Sequence, residues 1–266
     1  MCLLLIALTS NPSQKLVIAG NRDEYYDRPT AQARFWENAP ELLAGMDLRA
    51  GGTWFGVTRQ GRIAALTDYR DPASVQCHAP SRGELVSNFL LSQEPPAEYL
   101  DRLTQEADPY NGFNLIVGKA DELYWYSNKG GTRTKLTPGI YGLSNHLLDT
   151  PWPKVVSCKK AFSNLLSGGK DVSPEDVLSI LSDRSVPPDE TLPDTGIGIE
   201  WEKILAPAFI ASPTYGTRSS TVLLITANDQ VTFIEKSYAP GSVLSTTRHK
   251  FQIKPTLPPK EHGSVS

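Results

Sequence analysis

Cysteine and histidine are scarce in this chain of 266 residues, which contains three cysteines and four histidines. The cysteines, at positions 2, 77 and 158, form no C-x-x-C pair. A disulfide scaffold and a cysteine-rich zinc site are therefore both disfavoured. The histidines show none of the spacings typical of metal ligands, so we expect no metal site.

Long apolar runs and a strong excess of charge are also missing. The longest apolar run near the start, residues 3–8, is too short for a membrane span or for the apolar core of a signal peptide. Lys and Arg number 26 against 29 Asp and Glu, and this formal net charge of -3 creates no field that would attract nucleic acid or anionic lipid. We expect a cytoplasmic protein that binds a small molecule and has neither a nucleic-acid partner nor integral membrane association.

Short apolar runs of strand length recur along the chain, bounded by Gly, Pro, Asn or Asp. They lie at residues 2–8, 16–19, 53–57, 63–66, 113–117, 123–126, 221–225 and 231–234. Helical patterns are fewer: an S-x-x-E capping box at Ser81, an apolar stripe over residues 153–166, and a helix start at Ser173-Pro174. The pattern predicts one α+β domain over residues 1–254 and a loose, proline-containing tail over residues 255–266.

Cys2 carries more chemical information than any other single residue. Removal of Met1 would leave Cys2 with both a thiol and a free α-amine. An amine with a pKa of about 7.7 to 8.0 can act as the general base for a thiol with a pKa of about 8.5, which is the arrangement of N-terminal nucleophile enzymes. The alternative interpretation is a small buried residue that starts a strand.

Three polar clusters lie next to predicted strands. Asn21, Arg22, Asp23 and Glu24 directly follow the run that ends at residue 20, the cluster at residues 67–71 follows the run 63–66, and the cluster at residues 217–220 precedes the run 221–225. One such cluster is typical of an exposed turn, because burial of polar groups is costly. The three clusters and Cys2 can converge if these strands are neighbours in one sheet.

Six motifs follow one another along nearly the whole chain. They are M-C-L-L-L-I-A at the start, N-R-D-E at residues 21–24 with R-P at 28–29, G-G-T-W-F-G-V at 51–57, Y-N-G-F-N-L-I at 110–116, Y-G-L-S-N at 141–145 with T-P-W-P-K at 150–154, and G-T-R-S-S-T-V-L-L at 216–224. In this order they resemble the transport and Golgi organisation family, also called NRDE proteins.

That family is in turn similar to N-terminal nucleophile hydrolases of the choloylglycine hydrolase and penicillin V acylase type. The resemblance implies an αββα sandwich of two antiparallel sheets flanked by helices. It also implies a cysteine amidohydrolase or acyltransferase that acts on a small acyl amide and needs no cofactor. Cys2 would be nucleophile and base, Asn145 an oxyanion donor and Asp23 the partner of the α-amine, while Arg22 and Arg218 would hold the thiolate.

The chain departs from the hydrolase pattern in two places. The hydrolases carry G-R-N-x-D, whereas here Arg and Asn are exchanged and Glu24 falls on the Asp. Asp68 falls on an Asn of the oxyanion hole, and a carboxylate cannot donate a hydrogen bond unless it is protonated. The departures favour an alternative that the family resemblance implies, a non-catalytic binding protein for haem trafficking or for lipid or acyl-CoA handling. Its candidate ligand-binding residues are Asn21, Glu24, Asp68 and His146, with haem as the bound ligand.

Overall fold

The computed structural model describes residues 3–9, 13–168, 172–240 and 242–254. Its first sheet contains β1 (Leu3–Leu8), β2 (Gln14–Tyr25), β10 (Gly139–Leu143), β11 (Tyr215–Thr226), β12 (Gln230–Ala239) and β13 (Ser242–Gln252). Its second sheet contains β3 (Thr30–Trp36), β4 (Ala39–Asp47), β5 (Phe55–Thr58), β6 (Ile63–Asp68), β7 (Phe113–Lys119), β8 (Glu122–Ser127) and β9 (Thr134–Lys135). The helices are α1 (Gly83–Leu91), α2 (Pro96–Glu106), α3 (Pro153–Ser167), α4 (Pro174–Leu181) and α5 (Ile199–Leu205).

Both sheets are antiparallel and they stack face to face. The strand order is β10-β1-β2-β11-β12-β13 in the first sheet and β3 through β9 in chain order in the second. One core lies between the sheets, a second lies under α1 and α2 on the outer face of the second sheet, and a third lies under α3 and α4 on the outer face of the first. The predicted αββα sandwich is therefore confirmed.

Strand β1 shows why short apolar runs predicted this architecture. Leu4, Ile6 and Leu8 enter the core between the sheets, whereas Leu3 and Leu5 face the helical layer of α3 and α4. Side chains alternate between the two faces of a strand, and a strand that is covered on both faces reads as a continuous apolar run.

The helix predictions had mixed outcomes. Helices α3 and α4 are confirmed, and Ser173 accepts a hydrogen bond from the Asp176 N–H at 3.2 Å as an N-cap residue. The prediction of a capping box at Ser81 is wrong, because α1 starts at Gly83 and its N-cap residue, Arg82, makes no side-chain cap bond. Gly83 instead packs against Gly52, so closely that a Cβ at Gly52 would lie 2.4 Å from the Gly83 carbonyl carbon.

No helix in the described ranges is both long and apolar enough to cross a membrane. The tail predicted at residues 255–266 lies outside the described residues.

A buried carboxyl group links the two sheets near their common edge. Glu235 on β12 is 2% exposed, and its Oε1 accepts a hydrogen bond from the Ala33 N–H of β3 at 2.8 Å. Its Oε2 accepts a hydrogen bond from Thr221 Oγ1 at 3.3 Å. Burial raises the pKa of Glu235 to about 7, against the opposing effect of these two hydrogen bonds. Glu235 is thus a titratable group inside the sandwich.

We expect the Glu235→Gln variant to remove a pH-dependent part of the stability. Because the folded-state pKa of about 7 exceeds the ordinary value of 4.5, the stability associated with protonated Glu235 is complete below about pH 4.5 and is lost as the pH rises through 7. From pH 5 to pH 8 the difference in unfolding free energy should change by about 3 kcal/mol in favour of the variant. Urea denaturation at both pH values measures it, with the exposed Glu98→Gln on α2 as the control. An equal change in both variants would contradict a buried, protonated Glu235.

Candidate active site

The N-R-D-E segment lies inside a strand and not beyond its end. Strand β2 continues to Tyr25, and β11 pairs with it over the same length, with Asn21 opposite Ser220 and Arg22 opposite Ser219. One such cluster taken alone is typical of an exposed turn because burial of polar groups is costly, but here these side chains have partners within the protein. Two of the three polar clusters are therefore neighbours in one sheet.

Asn21 faces away from the second sheet, and both Asn21 and Asp23 form hydrogen bonds with side chains of β11. Asn21 Nδ2 donates to the carbonyl oxygens of Leu181 and Ala208 at 2.8 and 2.7 Å, and its Oδ1 accepts from Ser220 at 2.6 Å. Asp23 Oδ1 accepts from Thr217 Oγ1 at 2.6 Å, while Asp23 Oδ2 is buried and has no hydrogen-bond partner among the described residues. Asn21 thus has a structural role, and Asp23 keeps one free acceptor.

Arg22 extends from the opposite face of β2 toward the second sheet. Its guanidinium lies 4.4 Å from the centre of the Trp54 ring and donates to Thr30 Oγ1 at 3.2 Å. Glu24 and Asp47 carboxylate oxygens lie 3.8 and 3.7 Å from its NH2 atom. Burial lowers the pKa of Arg22, and the two carboxylates oppose this effect. An arginine remains a cation at neutral pH, so a fixed positive charge lies between β2 and the second sheet.

A cavity of about 410 Å³ lies beside Arg22, between the end of β2 and the second sheet. The described residues that line it are Arg22, Asp23, Glu24, Arg28, Asp47, Arg49, Ala50, Thr53, Trp54, Leu66, Asp68, Ala79, Pro80, Ser81, Arg82, Gly83 and Asn111. Four arginines and four carboxylates make the wall polar and nearly balanced in charge. It suits a ligand that carries polar or charged groups.

Asp47 fixes one side of this cavity. Its Oδ2 accepts from Arg28 Nε at 2.8 Å, and its Oδ1 accepts from the N–H groups of Arg49 and Ala50. Burial would raise the pKa of Asp47, but these hydrogen bonds outweigh it and hold the pKa below its usual value. Asp47 is therefore an anion at neutral pH.

Asp68 ends β6 on the other side of the cavity, and its Oδ1 lies 3.1 Å from Arg82 NH2. Burial would raise the pKa of Asp68, but the positive charges around it, Arg82 above all, outweigh this and hold the pKa below its usual value. Asp68 is ionised at neutral pH and can only accept hydrogen bonds. The cluster at residues 67–71 thus meets the N-R-D-E segment across the sandwich and not within one sheet.

Asn145 and His146 follow β10 and contact the chain beyond β6. Asn145 Nδ2 donates to the Asp68 carbonyl oxygen at 3.3 Å, and Asn145 Oδ1 accepts from Arg70 NH2 at 3.3 Å. His146 Nε2 is 2.9 Å from the Tyr69 hydroxyl, and its Nδ1 is 2.9 Å from Thr150 Oγ1. Burial lowers the pKa of His146. Because both ring nitrogens have protein partners, His146 would have to give one up to bind haem iron.

Arg218 stands at a β-bulge in the pairing of β11 with β2, between the pairs of Thr217 and Ser219. Its NH1 donates to the carbonyl oxygens of Tyr25 and Arg28 at 2.8 and 3.0 Å. The bulge turns this side chain toward the segment that follows β2, where its charge acts on Arg22.

The structure brings Arg22, Asp23, Glu24 and Asp68 together at the cavity, whereas Asn21, Asn145, His146 and Arg218 do not line it. Cys2 lies outside the described residues. Sequence reasoning missed four lining residues with evident roles: Arg28, Asp47, Trp54 and Arg82. Trp54 and Arg28 belong to motifs that the sequence showed, but Asp47 and Arg82 carried no local signal. No group of acidic, cysteine or histidine side chains in the described part of the chain could hold a metal ion.

Solved structures with a similar fold include two hydrolases. Penicillin V acylase from Agrobacterium tumefaciens matches with a TM-score of 0.51 and 13% identity, over 95% of this chain and 86% of the acylase. A variant of conjugated bile acid hydrolase from Clostridium perfringens matches with a TM-score of 0.51 and 7% identity, over 97% of this chain and 99% of the hydrolase. At these identities the likeness shows the fold alone, that of N-terminal nucleophile hydrolases.

Sequence comparison gives the family. The family model described as Transport and Golgi organisation 2 matches residues 1–240. A Transport and Golgi organization 2 homolog from Mus musculus is 38% identical over 261 residues, which cover 89% of this chain and 93% of the mouse protein. The Homo sapiens homolog is 38% identical over 258 residues, with the same coverage of both chains. The Drosophila melanogaster protein is 28% identical over 268 residues, which cover 89% of this chain and 92% of the Drosophila protein. This chain belongs to the Transport and Golgi organisation 2 family.

Proposed function

We propose that this protein is an amidohydrolase or acyltransferase that acts on a small acyl amide, with Cys2 as its nucleophile. The register at the start of β1 carries the proposal. Leu3 pairs with Asn21, next to Arg22 in the cavity wall. Cys2 itself lies outside the described residues, and Leu3 is the described residue that follows it in the chain.

The proposed reaction has two halves. The Cys2 thiol gives its proton to the α-amine and attacks the carbonyl carbon of the amide, and the oxyanion accepts a hydrogen bond from Asn145 Nδ2. The C–N bond then breaks, the amine returns the proton to the leaving nitrogen, and the acyl group remains on sulfur as a thioester. Water or another acyl acceptor attacks the thioester carbonyl, which releases the acyl product and restores the thiol.

Charged groups around β2 support the thiolate and the amine in this proposal. Arg22 is buried in the wall, and the charge of Arg218 lies close enough to lower the pKa of Arg22. In the proposed reaction these two cations would favour the anionic form of the Cys2 thiol. Asp23 Oδ2 is an acceptor without a partner among the described residues, and we assign it to the protonated α-amine. The polar wall favours a substrate with charged or polar groups beside the amide.

A second candidate, a binding protein without turnover, is favoured by Asp68. Its ionised carboxylate stands where the hydrolase resemblance places an amide donor. The four arginines of the cavity could bind the acidic groups of haem or of an acyl-CoA. Among the described lining residues there is no histidine, methionine, cysteine or tyrosine, so this part of the wall supplies no usual ligand for haem iron.

Intact mass and a substrate panel test the proposed function together. We expect the natural protein to lack Met1, to hydrolyse at least one acyl amide, and to gain the mass of the acyl group when it is quenched during turnover. The control is the same preparation after alkylation at neutral pH, with the labelled cysteine mapped by peptide analysis. Retention of Met1 together with no hydrolysis would refute the proposal, because the α-amine that acts as base would not exist.

A further inference from the structure

A buried ion pair lies next to Asn145, outside the cavity. Arg70 NH1 and Glu202 Oε2 are 2.6 Å apart, and their side chains are 10% and 3% exposed. Removing two charges from water costs free energy, and their mutual attraction often does no more than offset this cost. A buried ion pair is therefore weak evidence of a stabilising role. Its position suggests a different role.

Arg70 bridges Glu202 and Asn145 with the two ends of its guanidinium. NH1 donates to Glu202, while NH2 donates to Asn145 Oδ1 at 3.3 Å. The Arg70 backbone N–H also donates to the Asn145 carbonyl oxygen at 2.8 Å. Both the main chain and the side chain of Asn145 are therefore held by one residue.

This contact determines which way the Asn145 amide points. A guanidinium has only donors, so the Asn145 atom that faces Arg70 must be the oxygen. The NH2 group is then directed the other way, where it donates to the Asp68 carbonyl oxygen at 3.3 Å at the end of β6. If the amide were reversed, the Asn145 NH2 group would face the N–H groups of Arg70, and neither could accept a hydrogen bond.

Glu202 is itself fixed from the other side. Its Oε1 accepts from the Thr195 N–H at 2.9 Å and from Thr195 Oγ1 at 2.6 Å. The Arg70 guanidinium also lies 5.0 Å from the centre of the Trp152 ring. Glu202 of α5, held in place by Thr195, thus fixes the position of the Arg70 guanidinium.

We infer that Arg70 and Glu202 are positioning residues that orient the Asn145 amide for the transition state. The inference rests on the proposed function, in which Asn145 Nδ2 donates to the oxyanion. Lysine cannot replace Arg70, because a single ammonium lacks the planar fork that reaches both partners. Glutamine at position 202 keeps the shape but removes the charge that holds the guanidinium.

Kinetics of single and double variants test this role. We expect Asn145→Ala to lower kcat by about 10²- to 10³-fold, and Arg70→Lys and Glu202→Gln to lower it by about 10- to 100-fold, with KM little changed because the oxyanion forms only in the transition state. In the Asn145→Ala background, Arg70→Lys should cause no further loss.

Arg62→Lys is the matched control. Arg62 is also a buried arginine, but it donates to the Phe89 and Glu94 carbonyl oxygens and touches nothing at the site. It should lower the melting temperature without changing kcat. Equal kcat in the wild type, Arg70→Lys and Glu202→Gln, or an additive loss in the double variant, would overturn the inference while leaving the hydrolase intact.

Nuclear magnetic resonance provides a readout that does not need turnover. The Asn145 side-chain NH2 signals, assigned by their loss in Asn145→Ala, should shift in Arg70→Lys and Glu202→Gln but not in Arg62→Lys. If no acyl amide is hydrolysed, the proposed function fails. Shifted signals would still show that Arg70 and Glu202 orient the Asn145 amide. Unchanged signals would refute that assignment.

Discussion

Replacing Cys2 with alanine is expected to abolish acyl-amide hydrolysis, a loss of about 10⁶-fold in kcat, as when other enzymes lose their only nucleophile. The thiol and the α-amine sit on the same residue in the proposed reaction, but alanine keeps the amine, so the loss isolates the role of sulfur. Hydrolysis rates on the panel, measured with melting temperatures, give the result. The fold should persist, because the described core begins at Leu3.

The other two thiols are the internal controls for this experiment. Cys158 is buried in α3, and burial raises its pKa to about 11, so iodoacetamide should leave it unlabelled at pH 7. Cys77 is exposed in a loop, and Cys77→Ser should keep full activity. Hydrolysis by Cys2→Ala at the wild-type rate would remove Cys2 from the mechanism and with it the proposed function.

The strands that the sequence predicted include several that are covered on both faces. Strands β1, β5, β6 and β7 lie in the middle of the sheets and are almost wholly buried, so each is an apolar run. Edge strand β13 alternates between exposed and half-buried residues, and β9 is exposed over both of its residues. Neither contains an apolar run to detect, because β13 meets solvent on one face and both residues of β9 are exposed.

The candidate site could be predicted only where its residues are adjacent in the chain. The N-R-D-E segment was visible as a cluster, but its place inside β2 depends on partners about 160 to 200 residues away, such as Leu181 and Ser220. Arg70 and Glu202 are separated by 132 residues, and no local pattern pairs them. Long-range pairing thus decided which polar residues are structural and which face the cavity.

Asp68→Asn should separate the two candidate functions. Asp68 is ionised at neutral pH, because Arg82 at 3.1 Å helps to hold its pKa low, and it offers no donor to an oxyanion. The variant places a neutral amide donor at the same position. Since one oxyanion donor is worth about 10²- to 10³-fold in rate, we expect acyl-amide hydrolysis to rise by a comparable factor. Asp71→Asn is the matched control, because Asp71 pairs with Lys129 at 2.9 Å in the loop that follows β6, and hydrolysis should be unchanged.

A binding protein without turnover predicts the opposite outcome for the same variants. Hydrolysis would stay undetectable in the wild type and in Asp68→Asn, while affinity for an anionic ligand would increase because Arg82 loses its counter-charge. Haem titration followed by absorbance, run beside the acyl-amide panel on both proteins, measures this. Hydrolysis that grows in Asp68→Asn excludes a pure carrier, since a gain at one donor requires a reaction with an oxyanion to stabilise. Saturable haem binding without hydrolysis in either protein would instead exclude the amidohydrolase.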